Sequence, residues 1–183
     1  IGMTLYMLTQ YPEYLEKLKK EREVYYKAGG GEKVNMDNVS KMVELHCFLK
    51  ETLRFQTPVP LNLDRIALKD HKIGDLDIPK GMWVKPDYYA MMFHEKHWTE
   101  PEKFNPDRWK GDAEKVDPYA YTPFSGGPRN CIGQHLAIME AKIIVSEFLE
   151  RFDYKLKDGY QLKMVYRFLN EPEDELLLDL KRK

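Results

Sequence analysis

The sequence predicts a mainly α-helical domain that also contains small β-sheets, an α+β fold. Three long stretches repeat apolar residues at spacings of three and four, the period of one helix face. Two other regions, between residues 64 and 84 and beyond residue 154, have the short segments and turn residues of β-strands. The 183 residues, 43% of them hydrophobic, suffice for one sizeable core. With no internal repeat, low-complexity tract or linker, we expect residues 1–183 to belong to one domain.

The first predicted helix covers residues 1–27. Its apolar positions share one face of the helix and are Leu5, Leu8, Tyr11, Leu15 and Leu18. The segment GGGEK at residues 29–33 is expected to end this helix as an exposed loop. Because no capping residue precedes the helix and the first residue is not methionine, we expect an upstream segment to be missing from this sequence. A frayed natural terminus is the alternative.

The second predicted helix runs from about residue 35 to residue 55, with Asn35 as its N-terminal cap. Its apolar face consists of Val39, Val43, Cys47, Leu49 and Leu53. The two prolines in the following segment, QTPVPLN, force an extended path. Short strands are then predicted between residues 64 and 84, with turns at Gly74 and at residues 79–81.

Residues 85–121 are rich in Pro, Asp, Trp and Tyr and predict short helices joined by an ordered meander. The third long helix covers residues 131–152. It is apolar on more than one side, so we expect it to be deeply buried. From Tyr154 onward we expect a small antiparallel sheet, with a turn near residues 170–172 and LLLDL as its last strand.

Charge and cysteine content exclude several classes of protein. The net charge of −1 gives no bias towards nucleic acid, so we expect no nucleic-acid partner. Two cysteines without secretory context argue against a disulfide scaffold and favour an intracellular, reducing compartment or a metal role for one thiol. No apolar run reaches the length of about 18 residues that spans a bilayer. No signal or transit peptide is visible.

Cys131 stands out because it lies in a stiff, glycine-rich loop, PFSGGPRNCIG, directly before a predicted helix. The helix start favours a negative sulfur atom, and Arg129 lies two residues away, where it can pair with an anion. Gly126, Gly127 and Gly133 allow the backbone to approach a flat object closely. This combination favours a thiolate ligand to haem, a cofactor that carries carboxylates of its own.

Three other functions of this loop remain open. Zinc would need more ligands than Cys131 and His135. A cysteine nucleophile could use His135 as its base, although the glycines would then have no explanation. A phosphate-binding loop would follow a different glycine pattern. Cys47, inside an amphipathic helix, is interpreted as a core residue.

The loop resembles the haem-thiolate signature of the cytochrome P450 family. The matching positions are Phe124, Gly127, Arg129, Cys131 and Gly133. On average composition these residue types would occur at this spacing about once in ten million starting positions. The resemblance implies the C-terminal part of the cytochrome P450 fold, starting near the end of its long central helix. It also implies haem b with Cys131 as axial ligand, Phe124 beside the sulfur atom, and a haem-binding loop at residues 123–133.

Other segments resemble the same family in the same order. KETLR supplies Glu51 and Arg54, which share a helix face. FNPDRW resembles the segment that brings Arg108 onto them, which implies a structural triad; a solvated surface ion pair is the alternative. The segment PVPLNLDR implies a propionate contact for Arg65. By the same resemblance, the substrate-lining residues are Val59, Pro60 and Phe168.

The resemblance is closest to the microsomal-type branch of the family. It implies hydroxylation of a small lipophilic substrate, dependent on O2 and on electrons from a reductase or ferredoxin. The proton-delivering residues would lie upstream, so no catalytic residue is expected in this chain. Membrane association at the endoplasmic reticulum or mitochondrion is expected if the missing N-terminal half carries an anchor. The alternative is a split or repurposed half that acts as a structural or haem-holding subunit of a larger assembly.

Overall fold

Helices dominate the computed structural model, which describes residues 1–28, 34–61, 63–111 and 116–183. The α-helices are α1 (Gly2–Gln10), α2 (Pro12–Ala28), α3 (Val43–Phe55), α4 (Tyr88–Phe93) and α5 (Gln134–Arg151). Single turns of 3-10 helix form at Val39–Lys41, Pro106–Trp109 and Gly127–Arg129. The predicted fold class, mainly α with small β-sheets, is confirmed. The loop predicted at residues 29–33 lies outside the described residues.

The first predicted helix is two helices, so the prediction of one continuous helix is wrong. Tyr11 separates α1 from α2, with φ −127° and ψ 69°. Pro12 lacks the N–H that a continuous helix would need, and it disfavours helical geometry at the residue before it. The apolar spacing continues across the break, because Leu8, Tyr14 and Leu18 pack in the same core.

The second predicted helix begins eight residues later than expected, at Val43. Asn35 does not cap it; the Asn35 side chain accepts hydrogen bonds from the N–H groups of Asp37 and Asn38, at 2.9 and 3.2 Å, and so forms a local turn. Val43, predicted to face the core, is 55% exposed because it lies in the first turn of the shorter helix.

The N-terminus of α3 is capped by a residue from α2. The flanking residue Met42 offers no side-chain cap. Instead, the two carboxylate oxygens of Glu21 accept hydrogen bonds from the N–H groups of Glu44 and Leu45, at 2.7 and 3.0 Å. A helix leaves its first N–H groups without internal partners, so this contact satisfies two of them and joins α2 to α3.

The last helix begins at Gln134, three residues beyond Cys131, and not at Cys131 as predicted. Val145 and Leu149 are buried, whereas Leu136 and Ile144 are half exposed, so the expected burial on several sides is wrong. A charged residue, Lys142, is buried in this helix at 6% exposure. Burial lowers the pKa of the Lys142 ammonium, whose Nζ donates to the carbonyl oxygen of Val39 at 3.4 Å.

Among the described residues, eight short strands form four antiparallel pairs. They are β1 (Arg65–Ile66) with β4 (Trp83–Val84), β2 (His71–Ile73) with β3 (Leu76–Ile78), β5 (Phe152–Leu156) with β8 (Leu178–Arg182), and β6 (Met164–Tyr166) with β7 (Asn170–Pro172). The predicted turn at Gly74 is present, with φ 59°. The tail contains two sheets and not one; residues 170–172 form a strand, and the turn before them lies at residues 167–169.

One apolar core joins α1, α2, α3 and α5, and a smaller cluster lies beside it. The smaller cluster contains Cys47, Trp98, Trp109 and Ala120. Since α3 contributes to both, it is the element that positions the residues described below. Within the described residues, no helix combines the length and apolar character needed to cross a bilayer.

Candidate functional site

Glu51 and Arg54 form a fully buried ion pair on α3. Both side chains are 0% exposed. Arg54 donates twice to the carboxylate, from Nε to Oε2 at 3.0 Å and from Nη2 to Oε1 at 2.9 Å. A spacing of three residues places both side chains on one helix face, and the bidentate geometry is the strongest form of this interaction. The pair is therefore not a solvated surface ion pair.

The carboxylate of Glu51 also accepts hydrogen bonds from the 3-10 helix Pro106–Trp109. Arg108 Nε donates to Oε1 at 3.0 Å, and the backbone N–H of Asn105 donates to the same oxygen at 2.9 Å. Trp109 Nε1 donates to Oε2 at 2.9 Å. The structure thus brings together the three residues of the predicted triad. It adds Trp109, which sequence reasoning missed; a donor directly after Arg108 was its only signal.

The two arginines tie the meander to α3 through backbone carbonyl groups. Arg54 donates to the carbonyl oxygens of Met92, at the end of α4, and Lys103, at 2.9 and 3.3 Å. Arg108 donates to the carbonyl oxygens of Thr99, Glu100 and Lys103, at 3.0 to 3.2 Å. Buried guanidinium groups need such partners, so the segment from α4 to Trp109 is fixed against α3.

Cys131 is exposed and closes a tight loop. Its backbone N–H donates to the carbonyl oxygen of Phe124 at 2.9 Å, while the N–H of Asn130 donates to that of Gly127 at 3.1 Å. Gly127 has φ +74°, in the left-handed region, so the turn requires a residue that tolerates this conformation. The exposed Cys131 side chain therefore projects from a backbone that is fixed by these two hydrogen bonds.

Gly133, at the start of α5, has no need of a glycine within the described chain. Its φ of −87° suits any residue. A Cβ atom there would lie 3.9 Å from Cys131 Sγ, an ordinary contact distance. The packing and backbone of the described chain therefore do not account for a glycine at this position, and the space beside Sγ is open to a group outside the chain.

Arg65 and Arg129, the two predicted propionate ligands, are both exposed. Arg65 lies in β1, opposite Val84 of β4, and Arg129 lies in the turn before Cys131. Neither guanidinium makes an ion pair or hydrogen bond in the part of the chain that the structure describes. Both charges are therefore available to an anionic partner.

The donor set around Cys131 suits a metal that brings its own remaining ligands. No group of three or more His, Cys, Asp and Glu residues that could hold a metal ion occurs among the described residues. His135 Nε2 lies 3.4 Å from Gln134 Nε2. The exposed Cys131 thiol, with the Arg129 guanidinium two residues away in sequence, is compatible with a porphyrin, which supplies four nitrogen ligands of its own and carries two carboxylates.

A mainly apolar cavity of about 530 Å³ lies between α1, α3, α5 and β7. Phe124 reaches it from the cysteine loop. Other residues that line it include Met3, Thr4, Leu49, Thr52, Ala137, Ile138 and Ala141. Its volume falls within the range of about 300–1,000 Å³ that is usual for small-molecule and cofactor sites.

Other predicted residues lie away from this cavity. Cys131, Val59 and Phe168 are not part of its lining. Pro60 lines a second cavity, of about 340 Å³, near Phe55 and Phe93. Phe168 is 65% exposed, with φ 84°, at the turn between β6 and β7. The described residues thus bring Phe124 to the cavity and leave the three predicted substrate-lining residues dispersed.

The second cysteine, Cys47, lies in a different environment from Cys131. It is buried in the smaller core cluster, and its Sγ lies 3.7 Å from the carbonyl oxygen of Trp109. Burial raises the pKa of the Cys47 thiol, which disfavours the thiolate that metal binding requires. These properties agree with a packing role.

Comparisons with known proteins extend over nearly the whole chain. The family model for cytochrome P450 matches residues 1–178. The chain is 37% identical over 180 residues to cytochrome P450 3A5 of Homo sapiens and 33% identical over 181 residues to cytochrome P450 3A6 of Oryctolagus cuniculus. These matches cover 97% of the chain but 35% and 36% of the relatives, so the chain spans about a third of their length.

A solved structure gives the same result. The crystal structure of the cytochrome P450DA heme domain matches the whole chain with a TM-score of 0.89 and 31% sequence identity. The match covers 40% of that heme domain. The fold, the loop and the relatives together show that this chain belongs to the cytochrome P450 family.

Proposed function

We propose that this chain is the haem-binding, C-terminal part of a cytochrome P450 monooxygenase, with Cys131 as the axial ligand of haem b. The observation that carries the proposal is the exposed Cys131 thiol. It projects from a loop closed by the Phe124 carbonyl group and has no side chain beside it at Gly133. A thiolate is the ligand that distinguishes this family's haem chemistry.

The residues present fit the cofactor. Cys131 would hold the iron, Arg65 and Arg129 would pair with the propionates, and Phe124 would pack beside the sulfur atom. When bound, haem would supply the activation of O2, which electron donation from a thiolate ligand favours. Gly127 and Gly133 would allow the backbone to lie close to the macrocycle.

The chain's own residues would perform two tasks. Glu51, Arg54 and Arg108 would hold the meander behind the cysteine loop, as their hydrogen bonds to backbone carbonyl groups support. The mainly apolar lining of the cavity would favour a small lipophilic substrate. Protons would be delivered by residues outside this chain, and electrons by a reductase or ferredoxin docking on the cysteine side.

Absorption spectra of the complete natural protein test the proposal. The reduced, carbon monoxide-bound form should show the strongly red-shifted Soret band of thiolate-ligated haem. Replacement Cys131→Ala should abolish this band, and the matched control Cys47→Ala should keep it. A wild-type protein without the band, or a Cys131→Ala variant that retains it, would overturn the assignment.

We further propose that the complete protein associates with an intracellular membrane through a segment outside this chain. The resemblance to microsomal-type sequences supports this. Fractionation of cells that express the complete protein tests it: recovery in the washed membrane pellet is expected, and recovery in the supernatant alone would refute it.

A further inference from the structure

Ser125, in the middle of the cysteine loop, has a backbone conformation that is unusual for its residue type. Its φ is +67°, in the left-handed region, which a Cβ atom disfavours. The other left-handed residue of the loop is Gly127, which has no Cβ atom. A contact made by the Ser125 side chain can offset the free-energy cost of this conformation.

That contact comes from α4. The hydroxyl groups of Tyr88 and Ser125 are hydrogen-bonded at 2.9 Å, across 37 residues of sequence, and both side chains are partly buried. The N–H of Ser125 also donates to the carbonyl oxygen of Thr122 at 3.0 Å. The side chain and the backbone of Ser125 are thus both fixed.

The helix that carries Tyr88 is itself anchored. Asp87 caps it, with Oδ1 accepting from the N–H of Ala90 at 2.9 Å. At its other end, the carbonyl oxygen of Met92 accepts from Arg54 of the buried ion pair at 2.9 Å. A hydrogen bond to Tyr88 therefore connects the cysteine loop to a rigid support.

We propose that Tyr88 and Ser125 form a clasp that positions the Cys131 ligand. By holding Ser125 left-handed, the clasp orients the carbonyl group of its neighbour Phe124, which accepts the hydrogen bond from the Cys131 N–H at 2.9 Å. Tyr88 and Ser125 are positioning residues, because they act on the sulfur atom only through this backbone. The clasp's effect on haem rests on the function proposed above.

The variants are Tyr88→Phe, Ser125→Ala, the double variant, and Ser125→Gly, all in the complete natural protein. Tyr89→Phe is the matched control, since Tyr89 adjoins Tyr88 and stacks on Phe93 at 4.6 Å. In a urea titration of the red-shifted Soret band, Tyr88→Phe and Ser125→Ala should each lower the equilibrium constant for the thiolate-ligated form about fivefold, the usual contribution of one hydrogen bond. The double variant should lose less than the sum of the losses of the two single variants.

Two readouts separate positioning from mere stability. At a fixed redox potential of the solution and without urea, Tyr88→Phe and Ser125→Ala should shift the ratio of ferric to ferrous haem in the same direction. Tyr89→Phe should not change this ratio. Ser125→Gly should lose less Soret-band stability than Ser125→Ala, because glycine accepts the left-handed conformation without the clasp. Additive losses in the double variant, or a Tyr88→Phe protein that behaves like Tyr89→Phe, would refute the clasp.

Hydrogen exchange tests the clasp without reference to haem. The Cys131 amide should exchange about fivefold faster in Tyr88→Phe and Ser125→Ala than in the wild type, because its acceptor is no longer held. If the wild-type spectrum lacks the thiolate band while this exchange pattern appears, the proposed function fails and the clasp stands as a structural contact. If the band is present and the exchange rates are unchanged, the clasp fails and the proposed function stands.

Discussion

The indole of Trp109 gives the sharpest test of the buried network, because the chain contains a matched control. Trp109 and Trp98 are both 3% exposed and pack edge to face at 5.4 Å. Trp109 Nε1 donates to the Glu51 carboxylate at 2.9 Å, whereas Trp98 Nε1 donates to the neutral carbonyl oxygen of Met91 at 3.1 Å. Replacement of either indole by phenylalanine removes one donor and a similar amount of ring.

The two variants should differ in stability because their acceptors differ in charge. A hydrogen bond to a charged group contributes about 1.5–3 kcal/mol, and one between neutral groups about 0.5–1.5 kcal/mol. Trp109→Phe should therefore lower the free energy of unfolding by about 1–1.5 kcal/mol more than Trp98→Phe does. Phenylalanine keeps an aromatic face at both positions, and each face has a cation over it, Lys50 at 4.1 Å from the Trp109 centroid and Arg54 at 5.2 Å from the Trp98 centroid.

Urea unfolding of the complete natural protein, followed by far-ultraviolet circular dichroism, measures this difference. The signal does not depend on tryptophan fluorescence, which both substitutions change. A loss in Trp98→Phe equal to or larger than that in Trp109→Phe would refute the reasoning. It would show that the indole contributes to the network by packing alone.

Three further predictions concern the titration of His46 and substitutions at Gly127 and Gly133. Burial, together with the positive charges of Lys142 and Lys50, lowers the pKa of His46 to about 4. Between about pH 4 and 6.5 the unfolded chain therefore binds a proton at His46 that the folded chain does not, so the free energy of unfolding should fall as the pH is lowered through this range. The fall should be smaller in His46→Gln, as measured by denaturant midpoints at a series of pH values. Equal slopes of midpoint against pH in the wild type and the variant would contradict this. Gly127→Ala should lower the free energy of unfolding by about 1–2 kcal/mol because φ there is +74°. Gly133→Ala should leave the free energy of unfolding unchanged in the absence of haem, but it should weaken haem retention in the complete protein. Equal rates of haem loss from the wild type and Gly133→Ala would contradict the proposed close approach of haem to Gly133.

Features with a local physical cause could be predicted from the sequence. The cysteine loop is one, because Phe124, Cys131 and Gly133 act at fixed spacing along the chain. The pairing of Glu51 with Arg54 is another, because three residues separate neighbours on a helix face. The break at Pro12 was equally local, but the apolar spacing that continues across it concealed the break.

Features set by distant residues could not be predicted. Trp109 reaches Glu51 across 58 residues, and its only signal in the sequence is its place directly after Arg108. Lys142 lies in an otherwise apolar helix, and a lysine is expected to be exposed, yet its side chain is buried. Tyr88 and Ser125 meet because α4 packs beside the loop, a relation that exists only in the folded chain.

The cap that Glu21 provides for α3 has a consequence for the order of folding. The 13 residues of α3 are near the length at which an isolated helix is marginal in water, and its own flanking residue leaves the first N–H groups without a side-chain partner. The helix should therefore gain its full population only after α2 docks, 23 residues earlier in the chain. Glu51 and Arg54 lie on α3. The docking of α2 on α3 should therefore form the site that Arg108 binds before the meander packs against it. A substitution at Glu21 should therefore slow the closure of the meander, and it should leave the strength of the Glu51–Arg54 ion pair unchanged.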